Sequence, residues 1–189
     1  AFAVSSDMQK RVYFTESFFN PELDDFKFFV PGHFEVDAHA QAVTLIHEFS
    51  HHFAKTIDVA YLEARFPFTD LIDTATQAGT KLKAKSERIQ KALSMATPRD
   101  ELFCRKNHVT RVWESMDSIP DTAHIGKEII KITGTKTMDD ARTAFLDRVN
   151  SHIRIDTILR NADSVARLIC EMGRGLDPVP VLATPAVSS

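Results

Sequence analysis

Cysteine is scarce: the 189 residues contain only Cys104 and Cys170, with no C-x-x-C and no series of spaced pairs. That excludes a disulfide scaffold, and the two thiols read as independent small buried groups, with pairing left open. Long apolar runs are also missing. No stretch approaches the roughly 20 residues that a membrane-spanning helix needs, and Ala1-Phe2-Ala3-Val4 opens without the basic-then-apolar pattern of a signal peptide. Positive charge is not in excess. The formal net charge is -3, which supplies no general attraction for nucleic acid. A membrane span and a nucleic-acid partner are therefore not expected, and no internal repeat is evident.

What remains is ordinary globular usage, 43% hydrophobic and 26% charged, enough to build a substantial core. The expected organisation is one domain over residues 1-176. A Pro/Ala/Ser-rich tail or linker follows over 177-189, where the composition offers little to pack.

Arg11-Val12-Tyr13-Phe14-Thr15 is β-branched and aromatic and predicts a short strand, and Phe26-Lys27-Phe28-Phe29-Val30, closed by Pro31-Gly32, predicts a second. Phe18, Phe19, Phe28 and Phe29 are expected to cap the core. A helix is predicted over about Val36 to Phe53, with Ala42, Leu45, Ile46, Phe49 and Phe53 as its core-facing stripe. The opposite side carries Val36, Ala40, Val43 and Thr44, apolar enough to be covered or to floor a cleft. Further helices are predicted from about Leu71, over Lys81 to Leu93, after Thr97-Pro98, and over Val109 to Met116. The last two run from Thr122 to Ile132 before Gly134, and from Met138 to Met172 with a break near Asn161-Ala162-Asp163. The expected fold is mostly α (α+β), with a small β element ahead of the longest helix.

That helix contains His47-Glu48-Phe49-Ser50-His51, an H-E-x-x-H sequence. Histidines at i and i+4 share one face about 6 Å apart, so both imidazoles can reach one ion, and the adjacent glutamate can reach a water there without ligating. A third ligand is needed. Asp58 offers an oxygen at short range in Thr56-Ile57-Asp58-Val59-Ala60-Tyr61, but on an unbroken helix it would stand about 16 Å along the axis. The helix must therefore end and fold back between His52 and Ile57. His52 points about 100° away from His51 and is not expected to ligate. The basic stretch Lys81 to Lys91 reads as a solvated helix face.

H-E-x-x-H followed closely by T-x-D-x-x-Y resembles the aspzincins, the deuterolysin and peptidyl-lysine metallopeptidase group, over residues 47 to 61. A looser similarity to peptidase domains of large bacterial secreted toxins extends through Phe68. The resemblance implies a zincin-like domain holding one catalytic Zn2+ on His47, His51 and Asp58, with Glu48 as general base and Tyr61 stabilising the oxyanion. It implies a zinc endopeptidase acting on protein or peptide through a metal-activated water, secreted, with further domains in a larger chain. One position departs from the pattern: Lys55 stands where the family has glycine, so the turn after the helix must form without the residue that makes it most easily. Two alternatives stay open. The third ligand can be Glu63, Asp70 or Asp73, or the domain can be an inactive or structural helical module of a larger secreted protein.

Overall fold

The H-E-x-x-H segment forms the longest helix, Val36–Phe53, with the bounds that its periodicity predicts. It belongs to a computed structural model that describes residues 1-3 and 7-174; the tail expected over 177-189 lies outside the described residues. In chain order the elements are β1 (Phe2–Ala3), β2 (Val12–Tyr13), α1 (Glu16–Phe19), α2 (Asp24–Lys27), α3 (Val36–Phe53), α4 (Gln77–Gln90), β3 (Cys104–Lys106), β4 (Trp113–Ser115), α5 (Ala123–Thr133), α6 (Met138–Leu146), α7 (Ser151–Leu159) and α8 (Ala162–Arg174). The fold is mostly α with two small antiparallel ribbons, β1-β2 and β3-β4. Among the described residues no helix is long and apolar enough to cross a membrane.

A small β element does precede α3, but not the expected one. β2 pairs with β1, Phe2 opposite Tyr13, and their rings stack with centroids 5.2 Å apart. The strand expected at Phe26 to Val30 is instead the helical turn α2 and its exit. A strand would turn Phe26 and Phe28 to one side, whereas a helical turn aligns Phe26 with Phe29. Phe26 is buried and Phe29 half-buried, while Phe28 is 83% exposed. Phe19 is exposed as well, so neither Phe19 nor Phe28 caps the core as expected.

The cover expected over Val36, Ala40 and Val43 is present, but the stripe expected to face the core is exposed at its phenylalanines. Val36, Ala40, Val43, Glu48, Ser50 and His52 are buried, whereas Phe49 and Phe53 are exposed. Size decides this. Val43 packs with Ala64 and Ala166 of α8, and small side chains let the backbones approach closely where large phenylalanines would hold them apart. The histidine side is thus the covered side.

Downstream, three predicted helices shrink or vanish. The helix expected from Leu71 is one 3-10 turn, Thr69–Leu71, and the next helix starts only after Thr76, whose side chain accepts from Gly79 N at 3.1 Å. After Pro98 a single turn forms, with Glu101 N and Leu102 N both bonded to the Pro98 carbonyl, before Phe103 enters the left-handed region (φ 57°) and leads into β3. Val109 to Met116 is no helix. The Asn107 side-chain oxygen accepts from Val109 N and Thr110 N, folding a turn that brings Trp113–Ser115 back against Cys104–Lys106. The break at Asn161 is present, and a second one separates α6 from α7, where the Asp147 carboxylate accepts from Val149 N and Asn150 Nδ2. Gly134 ends α5 in the left-handed conformation (φ 66°). Cys104 and Cys170 are both free thiols.

The largest core cluster unites Leu102, Phe103, Ile129, Met138 and Phe145 with Val59 and Leu62. Burying Val59 and Leu62 anchors the segment after α3, and it leaves Asp58 and Tyr61 to face the other way.

Candidate metal centre

The chain reverses at the end of α3 through Lys55. Ala54 is the last αR residue, Lys55 takes φ 57°, and Ala54 N and Thr56 N both reach back to the Ser50 carbonyl, at 2.9 and 3.3 Å. A side chain thus occupies a conformation that normally favours glycine. The reversal is tied from inside: Ser50 Oγ and Thr56 Oγ1, both on buried residues, lie 2.6 Å apart.

After the turn, the segment from Ile57 to Leu62 docks on the α7-α8 junction. Ile57 N donates to the Arg160 carbonyl (2.8 Å), Ala162 N to the Ile57 carbonyl (3.1 Å), and Ala60 N to Asn161 Oδ1 (3.0 Å). Leu62 N donates to Asp163 Oδ2 at 2.6 Å. These bonds fix Asp58 above the histidine face of α3.

Three donor atoms meet there. His47 Nε2 and His51 Nε2 are 3.2 Å apart, and Asp58 Oδ1 lies 3.3 Å from the first and 3.5 Å from the second. Ligands bound at 2.0–2.1 Å to one tetrahedral ion stand about 3.4 Å apart, so the triangle has the size such an ion requires. The outer nitrogens are committed. His47 Nδ1 donates to Asp163 Oδ1 (2.8 Å) and His51 Nδ1 to the Thr56 carbonyl (2.9 Å). In the neutral rings both Nε2 atoms therefore carry bare lone pairs that face each other and a carboxylate. Asp58 Oδ1 is buried and, with the rings neutral, accepts no hydrogen bond among the described residues. A cation satisfies all three atoms at once, and this donor set fits a metal ion.

Electrostatics agree. Burial alone would push His47 down, but hydrogen bonds to Asp163 and Asp58 outweigh it and hold the imidazolium up to about 10. Asp58 is held below its ordinary value: burial works against this, and the hydrogen bond and charge of His47 prevail. A proton here occupies the place that a metal would take.

Glu48 is 7% exposed and sets a carboxylate within 4.8 Å of a ligating nitrogen on each histidine. Asp58 is nonetheless the better third ligand, because its Oδ1 is closer to both nitrogens and otherwise lacks a partner. Glu48 instead lines a cleft of about 250 Å³ together with His47, Tyr61, Glu63, Arg65 and Asp163. Tyr61 Oη donates to Asp58 Oδ2 at 3.2 Å, so its hydroxyl sits beside the triangle while the residue is 60% exposed.

The other acids go elsewhere. Glu63 pairs with Arg65 (3.0 Å), Asp70 with Arg174 (2.6 Å), and Asp73 accepts from Ala75 N. His52 is buried against the Arg11 carbonyl and does not join the triangle. Asp163 and Asn161 escaped the sequence reading, which took them only as a helix break. The available signal was two polar residues with short side chains between apolar helices, positions that need partners when buried. Comparison with protein-family models, with curated proteins and with solved structures gives no match for this chain.

Proposed function

We propose that this domain is a zinc-dependent endopeptidase of the aspzincin type. The observation that carries the reading is the His47-His51-Asp58 triangle, with an orphaned carboxylate oxygen at one corner and the buried Glu48 beside it. Structural zinc is normally enclosed by four protein ligands, whereas this triangle supplies three and opens onto a cleft. That favours a catalytic site over a structural module.

When bound, zinc supplies a Lewis acid that polarises the scissile carbonyl and lowers the pKa of water. Glu48 takes a proton from the attacking water and delivers it to the leaving amine. Tyr61 turns its hydroxyl from Asp58 Oδ2 toward the oxygen that gains charge. Tyr61 also borders a second hollow of about 200 Å³ with Val59, Phe103 and Met116, so an extended peptide crossing the triangle has room on either side of the cut bond. Within the cleft lining, Glu63 is paired and both Asp163 oxygens are taken, which leaves only Glu48 uncommitted.

Cleavage-site mapping on denatured proteins, with wild type and Glu48→Gln in parallel, tests this reading. Wild type should hold one zinc and cut in a chelator-sensitive manner; Glu48→Gln should hold zinc and not cut. A wild type that binds no zinc, or a Glu48→Gln variant that cuts normally, removes the proposal.

A further inference from the structure

The turn between α7 and α8 lies more than a hundred residues from the H-E-x-x-H sequence, yet it touches both halves of the triangle. Asp163 spends one carboxylate oxygen on His47 Nδ1 (2.8 Å) and the other on Leu62 N (2.6 Å). Asn161 is fully buried, and its Oδ1 accepts from Ala60 N (3.0 Å) while its Nδ2 donates to Ser164 Oγ (3.0 Å). We propose that Asp163, seconded by Asn161, is the positioning residue of the metal centre: it sets the His47 tautomer and holds the Asp58 segment in register with it. The inference rests on the metal-site reading.

The physical case has two parts. A carboxylate can only accept, so contact with Asp163 requires the His47 proton on Nδ1 and leaves Nε2 free to ligate. The same contact makes the imidazole a stronger donor to an ion. The second oxygen acts on geometry. Leu62 is four residues after Asp58, and between them Ala60 is tied to Asn161, so the segment cannot slide along α8 without breaking both bonds. Asparagine at 163 cannot replace the aspartate: if its oxygen faces His47, its NH2 group opposes the Leu62 N–H, and the reverse orientation opposes His47 Nδ1–H.

Asp163→Asn is compared with wild type and with Ala166→Gly, a change on the same helix at a fully buried residue that touches neither His47 nor the Asp58 segment through a side-chain hydrogen bond. Zinc affinity is measured by chelator competition at a temperature where circular dichroism shows all three folded. Removing such an outer partner typically weakens metal binding about 10- to 100-fold. The expected result is a loss of that size for Asp163→Asn, with Ala166→Gly lowering the melting temperature but keeping wild-type affinity. A role in stability alone would move both variants' melting temperatures and leave both affinities unchanged, and that result overturns the inference while sparing the metal site. Equal weakening in both variants overturns it as well. A wild type that binds no zinc overturns the metal-site reading itself. If metal-free Asp163→Asn does not hold its fold, protein refolded with zinc is used and the rate of zinc loss to chelator is read instead; a wild-type rate then overturns the inference.

Discussion

The Nε2 atoms of His47 and His51 face each other at 3.2 Å, each ring donating a hydrogen bond from Nδ1–H to an oxygen behind it. This face needs a positive charge, and without metal a proton on His47 provides it. The His47 pKa is raised from 6.5 to about 10, so its contribution to stability is fully present below about pH 6.5 and is lost as pH rises through about 10. On the proposed function, zinc would take the place of that proton. Metal-free protein should therefore lose melting temperature steadily between pH 6.5 and 10, whereas zinc-loaded protein should stay flat over that window. Calorimetric titration at neutral pH in buffers of different ionisation enthalpy should show about one proton released per zinc. Parallel melting curves with and without zinc would remove His47 from the linkage.

Asp58 separates the ligand sets. Asp58→Ala should abolish stoichiometric zinc, because it removes the carboxylate oxygen that lies 3.3 and 3.5 Å from the two Nε2 atoms. Glu63→Ala, Asp70→Ala and Asp73→Ala should each retain it, since those carboxylates are engaged with Arg65, Arg174 and Ala75 N. Metal analysis of the four purified variants decides. Zinc lost from one of the latter three, and kept in Asp58→Ala, would move the site.

The sequence made α3 legible to the residue, because apolar periodicity over five turns is a strong signal. It misjudged which face is inside. Bulk pointed to Phe49 and Phe53, whereas the small residues Ala40, Val43 and Ala166 decide how closely α3 and α8 approach. Spacing singled out His47 and His51, and the T-x-D-x-x-Y resemblance singled out Asp58 among nearby acids, but nothing local could bring Asp58 back to the helix. That return depends on Asn161 and Asp163, partners at a sequence distance no periodicity reports. Short β elements were the least legible. Val109 to Met116 has helix-compatible polarity, and the turn at Asn107 rests on one side chain capping two backbone amides.

Lys55 carries the cost of a missing glycine. Its φ of 57° places Cβ where an L-residue is disfavoured by about 1–2 kcal/mol. Lys55→Gly removes that strain but loosens the unfolded chain, which offsets about 0.4–1 kcal/mol. A net gain of up to about 1.5 kcal/mol is expected, read as a higher denaturant midpoint with unchanged slope. Zinc content should not change, because the Lys55 side chain is exposed and makes no contact with the triangle. A destabilised variant would show that the lysine stabilises the turn in some other way.

Tyr61 tests the chemistry most directly. Burial around its hydroxyl and the Asp58 carboxylate push the phenol up to about 12, so it remains a proton donor throughout any working pH range. Its Oη is 3.2 Å from Asp58 Oδ2, and the residue lines the cleft and is 60% exposed. An oxyanion donor acts mainly in the transition state, so Tyr61→Phe should lower kcat about 100- to 1000-fold and leave KM nearly unchanged. The melting temperature should move little, because the variant keeps the ring and deletes only a hydroxyl bonded to a partly exposed carboxylate. Zinc should remain stoichiometric. A variant with wild-type kcat but weakened zinc binding would instead make Tyr61 a support for Asp58, and the oxyanion would need another donor.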